Sequence, residues 1–281
     1  MKDRQQININ TKKLIETVAG AAFSHGLVPD AQADFIKERS DKQLIVIAAT
    51  PKSGSTFLAN TLSKITGLNY FRLCAAYSTN EHDLYLPALC LINPYGCVSQ
   101  LHMKGTFHNA ALIRTFGIKP VILVRQIYDT VISLKNDLRK KEGMPGYGTG
   151  QNGYSFMWQN EAIKNLDDEQ LIDAIIDLAI PWYVNFYVSW HSLCEQRAVD
   201  AIWITFNQLF SEKEETLRTI MAFLGCQSAD EIDQEILSRK YKTFRSGGSG
   251  EGVSELTTEQ KTRIRRYFEY YSDIDFSKYG I

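Results

Sequence analysis

The sequence predicts an α/β fold: a single domain with a mostly parallel central sheet flanked by helices. A chain of 281 residues is long enough for one such domain with a full core. Short apolar segments alternate with helical patterns along it, which is typical of a parallel sheet covered on both faces. Because no segment has the composition of a linker, we expect one domain over 1–281, with a helical extension at 1–40 and a core at 41–281.

Five segments are predicted as strands. QLIVIAA (43–49) is short, branched and apolar on both faces, as expected for a buried parallel strand. KPVILV (119–124) and AIWITF (201–206) have the same character. LNYFRLC (68–74) and VSQLH (98–102) are further candidates.

The helical patterns lie between these strands. Pro181 interrupts one of them and predicts a kink or break. Gly225 closes another as a helix terminator. We expect helices at 11–24, 56–65, 128–141, 169–197 and 211–225, and one that begins near 257.

Composition excludes several classes of protein. A net charge of −1, with 44% hydrophobic and 22% charged residues, is that of an ordinary soluble protein and argues against a general nucleic-acid or membrane-surface role. The five cysteines form no CxxC pair, which favours reduced thiols over disulfides or zinc. The polar N-terminus has no apolar signal core, and no window approaches the apolar length of a membrane span. We therefore expect a cytoplasmic enzyme.

TPKSGST (50–56) follows the first predicted strand and opens a helix. Backbone N–H groups and the positive end of the helix dipole converge at such a point, which favours a bound phosphate. Lys52 adds charge, and Ser53 and Thr56 add hydroxyl groups. A nucleotide-hydrolysing P-loop has its lysine directly after the last glycine, whereas Lys52 precedes Gly54. A helix start capped by serine is the structural alternative.

This loop resembles the 5′-phosphosulfate loop, PKSGTTW, of the sulfotransferases, which use 3′-phosphoadenosine 5′-phosphosulfate (PAPS). The resemblance implies a P-loop-like sulfotransferase fold, PAPS as sulfuryl donor and adenosine 3′,5′-bisphosphate (PAP) as product, with no metal required. Phe57 stands where the family has the Trp that helps stack the adenine. The donor-binding residues implied here are Lys52, Ser53, Gly54, Ser55, Thr56 and Phe57.

A second motif follows the strand at 119–124. The family binds the 3′-phosphate with an Arg at a strand end and a Ser eight residues later, and Arg125 and Ser133 have that spacing. An Arg at the carboxyl end of a parallel strand points into the crevice where ligands bind, and its fork fits a phosphate. A strand-end Arg paired with Asp129 is the structural alternative. Phe206, at the end of AIWITF, is also assigned to the donor site.

A third motif, FRSGGSGEG (244–252), resembles the family's RKGxxGDWK, whose Arg and backbone amides grip the 3′-phosphate. It assigns Arg245, Ser246 and Gly247 to the donor. Ser246 replaces the family's Lys, and Gly252-Val253 replaces Trp-Lys. A flexible surface loop with a solvated Arg is the alternative.

The resemblance also indicates the catalytic groups. Lys52 would stabilise the oxygen left behind when sulfate departs. His102 in VSQLHMKG matches the base of the family's KTHLP, although Gln100 replaces that motif's Lys. Histidine titrates near neutrality and suits proton transfer. His108 and Glu81 are rival candidates for the base.

The acceptor side should be formed by 75–97 and the glycine-rich stretch 143–155. We assign Glu81, His108, Tyr147 and Tyr154 to it. The expected acceptor is a small molecule or natural product sulfated on a hydroxyl or a nitrogen, with no nucleic-acid or membrane partner. The protein is expected to be a monomer or a homodimer. The alternatives are a P-loop nucleotide kinase or NTPase and a nucleotide-binding module without catalysis.

Overall fold

The computed structural model describes residues 43–75, 80–141, 154, 156–157, 161–226 and 250–281. Several predictions fall outside these residues. They are the extension at 1–40 with its helix at 11–24, the glycine-rich stretch at 143–153, and the site residues Tyr147, Arg245, Ser246 and Gly247.

A parallel sheet forms the centre of the described fold. Its strands are β1 (Leu44–Ala49), β2 (Cys97–Leu101), β3 (Val121–Val124) and β4 (Ile202–Thr205). They lie in the order β2-β1-β3-β4, and every neighbouring pair is parallel. Since the chain continues from β1 to β2 on one side and then to β3 on the other, the sheet has its topological switch point beside β1. The predicted α/β class is confirmed.

The segment 68–74 is not a full strand, contrary to the prediction. A single parallel bridge joins Tyr70 to Val98. The Phe71 N–H donates to the Val98 carbonyl, and the Val98 N–H donates to the Asn69 carbonyl, each over 2.9 Å. The bridge extends the sheet beyond β2 by one residue pair only, because the Leu73 N–H turns to the Ser99 hydroxyl at 3.3 Å.

Helices cover both faces of the sheet. In chain order they are α1 (Ser55–Thr66), α2 (Leu86–Ile92), α3 (Phe107–Thr115), α4 (Ile127–Lys141), α5 (Glu161–Lys164), α6 (Asp168–Leu178), α7 (Ile180–Glu195), α8 (Phe206–Ser211), α9 (Lys213–Leu224), α10 (Glu251–Glu255) and α11 (Thr258–Glu269). A short 3₁₀ helix, Ser277–Tyr279, follows.

Strand β1 divides the core in two because its side chains alternate between the faces. Ile45 and Ile47 pack with α1, α8 and α9. Val46 and Ala48 pack with the larger cluster, which includes α2, α3, α4, α6, α7 and α11. All six residues of β1 are buried, as predicted from its continuous apolar sequence.

One predicted helix is divided, and another begins two residues later than predicted. The pattern at 169–197 breaks at Ala179, and Pro181 lies in the first turn of α7, where a missing N–H costs little. The pattern at 211–225 is preceded by α8 and separated from it at Glu212. Helix α9 ends at Gly225, whose φ of 72° is the left-handed conformation expected of a terminator.

The 28-residue stretch Asp168–Glu195 is long and apolar enough to cross a membrane by length and composition alone. This corrects the expectation that no window approaches such a span. Most of its apolar window is buried inside the protein, and α7 contributes Tyr183 and Trp190 to the core with no exposed surface. The core helix of a soluble protein passes the same test of length and composition.

Candidate active site

Four parts of the predicted site lie at the carboxyl ends of the parallel strands. Loop 50–56 follows β1, His102 follows β2, Arg125 follows β3 and Phe206 follows β4. Ligands of parallel sheets bind at this edge, beside the switch point. Residues far apart in the chain are thus brought together by strand order alone.

The loop after β1 ends at the start of a 12-residue helix, α1. Gly54 is its N-cap with φ 86°, and no side chain caps the helix, so the alternative of a serine cap is wrong. The Ser53 hydroxyl instead donates to the Thr50 carbonyl over 2.6 Å, inside the loop. A Cβ at Gly54 would lie 2.7 Å from the Phe210 ring, so this position requires glycine for both space and conformation.

Lys52 adopts a left-handed conformation, with φ 69°, that few non-glycine residues take. Its Nζ atom lies 2.9 Å from Oδ1 of Asp137 on α4. The other carboxylate oxygen, Oδ2, accepts a hydrogen bond of 2.9 Å from the Tyr154 hydroxyl. Lysine, aspartate and tyrosine therefore form one connected polar group. The signal for Asp137 in the sequence was its position one helical turn after Ser133.

Arg125 is buried, with 7% of its surface exposed. Its guanidinium lies over the Phe206 ring at 4.3 Å, which places the two predicted donor-site residues in contact. Its Nη1 is also 3.4 Å from the Lys52 carbonyl oxygen, toward the loop after β1. Ser133 is half-buried, two turns into α4 from Arg125. A buried guanidinium at a strand end is a strong anion-binding group.

Asp129 anchors the C-terminal segment to this side of the sheet. Its carboxylate accepts hydrogen bonds from the backbone N–H of Gly250, at 3.1 and 3.2 Å, and of Gly252, at 2.8 Å. A Cβ at Gly252 would lie 2.1 Å from the backbone carbonyl carbon of Tyr128. This close approach explains why glycine stands where the family motif has Trp. The residues of that motif predicted to bind the 3′-phosphate, Arg245, Ser246 and Gly247, precede the anchored glycines in the sequence.

The geometry of His102 fixes its tautomer. Nδ1 lies 2.7 Å from the Ala49 carbonyl oxygen, which can only accept, so Nδ1 carries the proton. Nε2 lies 3.3 Å from the side-chain amide nitrogen of Gln100, which donates to it. Burial, followed by the proximity of His82, lowers the pKa of His102 to about 3. The ring is therefore neutral at physiological pH, with its lone pair on Nε2.

His82 supports His102 and was missed by the sequence reasoning, which considered only its neighbour Glu81. The backbone N–H of His102 donates to Nδ1 of His82 over 2.7 Å. In return, the backbone N–H of His82 donates to the backbone carbonyl of His102 over 3.0 Å. The two rings are stacked with their centroids 5.5 Å apart. Little in the sequence indicated this role for His82, because it was one polar residue in the segment 75–97, which was already assigned to the acceptor side.

Helix α7 supports two of the strand-end loops from below. The Tyr183 hydroxyl donates to the Pro51 carbonyl over 3.0 Å, directly before Lys52. The Trp190 indole N–H donates to the Met103 carbonyl over 2.9 Å, directly after His102. Both side chains are fully buried. One rigid helix thus fixes the backbone on either side of the site.

The rival bases lie elsewhere. Nε2 of His108 is 3.0 Å from the Leu84 carbonyl oxygen, and the residue is exposed at the start of α3. Glu81 pairs with Lys104, with Oε1 and Nζ separated by 2.6 Å. Lys104 in turn lies over the Trp182 ring at 5.8 Å. Both rivals belong to the residues predicted for the acceptor side, whereas His102 follows β2 and is bonded to Ala49, directly before the loop at 50–56.

Phe57 is only 5% exposed, and its ring packs 5.1 Å from that of Phe210. Little of it can face a nucleotide. The described residues contain no group of three His, Cys, Asp or Glu arranged to hold a metal. All five cysteines lie in the described part of the chain, where none of them forms a disulfide. Burial raises the pKa of the Cys74 thiol to about 12, so that thiol is unreactive.

Comparisons with known proteins agree with this architecture. A family model described as "Sulfotransferase domain" matches residues 42–269. No curated protein sequence matches the chain. Among solved structures, mouse sulfotransferase SULT7A1 complexed with PAP is similar, with 13% identity over 88% of this chain and 90% of that chain and a TM-score of 0.57.

The sulfotransferase domain from the curacin biosynthetic pathway is another similar structure, with 12% identity over 84% of this chain and 99% of that chain and a TM-score of 0.47. At 13% identity the mouse structure supports the fold, and the family model, which covers most of the chain, shows the family. The chain therefore belongs to the sulfotransferase family and is a sulfotransferase.

Proposed function

We propose that the protein transfers a sulfuryl group from PAPS to a hydroxyl, or a nitrogen, of a small-molecule or natural-product acceptor. His102 is the base and Lys52 stabilises the departing phosphate oxygen. The hydrogen bond between His102 Nδ1 and the Ala49 carbonyl carries the proposal. Ala49 directly precedes the loop that contains Lys52, so this bond holds the imidazole beside that loop. Among the described strands, only β2 is followed by a buried, neutral histidine.

The donor site is assigned to three parts of the chain. Lys52, Ser53 and Thr56, with the first turn of α1, face the 5′-phosphate. Arg125 and Ser133 face the 3′-phosphate, with Arg245, Ser246 and Gly247 as the predicted partners from the C-terminal motif. Gly54 and Ser55 complete the loop. Phe206 borders the adenine, and Phe57 is assigned there by the family resemblance, although only 5% of its surface is exposed. The buried guanidinium of Arg125 supports this, because its planar fork of N–H donors lies at a strand end, where it fits a phosphate.

The residues around His102 favour proton transfer through Nε2. Nδ1 is committed to the Ala49 carbonyl, so Nε2 is the atom that accepts the acceptor's proton. Gln100 must release Nε2, or turn, before the acceptor can approach it. As the new sulfur–oxygen bond forms, the bond to the 5′-phosphate oxygen breaks, and a Lys52 N–H donates to that oxygen.

The acceptor side has aromatic walls and charged groups. Tyr154 and Phe156 are stacked with centroids 5.1 Å apart, and Phe156 lies 5.3 Å from Trp182. Glu81 and Lys104 lie at its border as an ion pair. Tyr147 and His108 stay predicted members. These groups suit a small, partly planar acceptor. A cytoplasmic location and a monomeric or dimeric state also stay predictions.

Two experiments test the proposal. A thermal-shift assay should show that PAP raises the melting temperature and that ATP with Mg²⁺ raises it little. The reason is that Lys52 precedes Gly54, whereas the lysine of an ATP-binding P-loop directly follows the last glycine. Incubation with PAPS and a panel of phenols, alcohols, amines and sugars, with mass detection, should then give a sulfated product. Stabilisation by ATP–Mg²⁺ alone, with no sulfated product from any acceptor, would overturn it.

A further inference from the structure

One face of α4 connects three parts of the site. Asp129, Ser133 and Asp137 recur every four residues, so they lie along one side of the helix. Asp129 holds the backbone of Gly250 and Gly252. Ser133 belongs to the proposed 3′-phosphate site. Asp137, to which the family resemblance assigns no role, is the third member of this row.

Asp137 uses both carboxylate oxygens on site residues. Oδ1 lies 2.9 Å from Lys52 Nζ, and Oδ2 accepts the Tyr154 hydroxyl over 2.9 Å. The Asp137 side chain is 14% exposed and that of Lys52 is 20% exposed, so the pair is sheltered from solvent. Tyr154 is itself buried and stacked on Phe156. The carboxylate is therefore fixed from a second direction.

We propose that Asp137 is a positioning residue for Lys52: it orients the ammonium toward the bridging oxygen of the donor, and Tyr154 holds the carboxylate in place. The inference rests on the proposed function, since it assigns Lys52 to the departing phosphate. It goes further by making one acidic side chain connect the donor lysine with a tyrosine of the acceptor side.

The physical argument concerns the freedom of the lysine head group. A lysine has four side-chain torsions, and its ammonium carries three N–H donors that rotate together. One N–H donated to Asp137 fixes the direction of the other two. Misplacing a catalytic group by about 1 Å can cost on the order of 100-fold in rate. Tyr154 fixes the Asp137 carboxylate, and the carboxylate fixes the Lys52 ammonium. The ammonium therefore loses much less conformational freedom when the donor binds.

The alternative is that Asp137 withholds Lys52 from the donor. In that case, removing its charge would release the lysine and speed transfer. The positioning role predicts the opposite sign. Asp137→Asn is the discriminating variant, because the amide keeps the shape and an oxygen for Tyr154 but loses the ionic partner of Lys52.

Transfer is measured under single-turnover conditions at saturating PAPS, with an acceptor from the screen or with water. With water, the sulfur–oxygen bond to the 5′-phosphate breaks, a bond to the water oxygen forms and a proton is released. Asp137→Asn should lower the rate by about 10- to 100-fold and change the donor KM by less than about 3-fold. In a Lys52→Ala background, Asp137→Asn should have no further effect. An equal loss in that background, or a faster enzyme, would overturn the inference.

Two variants accompany it. Tyr154→Phe removes only the second hydrogen bond, so it should slow transfer less and have no effect in the Asp137→Asn background. If Asp137→Asn fails to fold, Tyr154→Phe combined with Lys52→Ala decides the question alone. Lys135→Gln is the matched control on α4, because Lys135 pairs with Glu255 and Asp168 away from the site and should leave transfer unchanged.

A readout that needs no turnover separates this inference from the proposed function. Acylation by acetic anhydride, followed by mass spectrometry, reports how readily Lys52 reacts relative to the exposed Lys278. Asp137→Asn should increase acylation of Lys52 several-fold, since the ion pair is lost. Unchanged acylation would overturn the inference. A wild-type enzyme without transfer activity, but with Asp137-dependent protection of Lys52, would instead contradict the proposed function.

Discussion

His102 Nδ1 lies 2.7 Å from the Ala49 carbonyl oxygen, so the side chain that follows β2 is hydrogen-bonded to the last residue of β1. This bond fixes the proton on Nδ1 and leaves the lone pair on Nε2, the atom proposed to accept the proton. It also holds the imidazole in a buried position beside the phosphate loop. The proposed base is therefore a feature of the sheet edge, and its protonation affects both activity and stability.

The first prediction concerns pH. The pKa of His102 is about 3 in the folded protein, below the roughly 6.5 of an unfolded histidine. Stability is therefore fully present above pH 6.5 and is lost as pH falls, because the unfolded chain binds a proton that the folded chain does not. At pH 5 the loss should be about 2 kcal/mol.

Urea denaturation at pH 8 and pH 5 measures this loss. His102→Gln, which cannot titrate, should show a fall in unfolding free energy about 2 kcal/mol smaller than the wild type. The account of a buried neutral histidine would be wrong if both proteins lost the same amount.

Arg125→Lys should weaken donor binding. Lysine lacks the planar fork and the stacking on Phe206, so the donor KM should rise by about 10- to 100-fold. Steady-state kinetics with varied PAPS measures it, and Arg114→Lys, on the exposed face of α3, is the control. A donor KM within about 2-fold of wild type would remove Arg125 from the phosphate site.

Tyr183→Phe should disturb the phosphate loop from below. The buried hydroxyl donates to the Pro51 carbonyl, and its removal should cost about 1–2 kcal/mol of unfolding free energy and weaken PAP binding. Tyr187→Phe is a matched control on the same helix, because its hydroxyl donates to the Asp275 carbonyl instead. Both variants should lose similar unfolding free energy in chemical denaturation, because each loses one hydrogen bond of a buried tyrosine. Calorimetry should show weaker PAP binding for Tyr183→Phe only. Equal PAP affinity in both would show that α7 does not support the loop.

Gly252→Ala should displace the C-terminal segment from α4. The added methyl would overlap the Tyr128 backbone, and overpacking of this kind costs about 1–3 kcal/mol. Unfolding free energy and PAP affinity should both fall. Val253→Ala, at the exposed neighbouring residue, is the control. It should change the unfolding free energy by no more than about 0.5 kcal/mol and leave PAP affinity unchanged. A stable Gly252→Ala protein with normal PAP affinity would contradict the Asp129 anchor.

The strand-end residues were predictable because each follows a short apolar segment, and parallel strands place their carboxyl ends at one edge. The loop at 50–56 and Arg125 were assigned from such positions together with the family resemblance, and His102 was assigned from the resemblance. Asp137 was not found, since its partners Lys52 and Tyr154 are distant in sequence. His82 was missed for a similar reason, because its partner is a backbone N–H of His102.

Local conformation was also hard to predict. The apolar segment 68–74 has strand composition, yet its hydrogen bonds turn to the Ser99 side chain after one bridge. The serine cap considered as the alternative for the start of α1 is absent, and Gly54 is the N-cap, because the space beside Phe210 admits no side chain. Such outcomes depend on tertiary neighbours that periodicity does not reveal.

The central claim is that His102 removes the acceptor proton while the loop at 50–56 and Arg125 hold the donor. The most direct measurement compares single-turnover sulfuryl transfer by the wild type and His102→Ala at saturating PAPS, with PAP affinity measured in parallel. We expect transfer to fall by about 100-fold or more, with PAP affinity within about 2-fold of wild type. Near-normal transfer by His102→Ala would contradict the account.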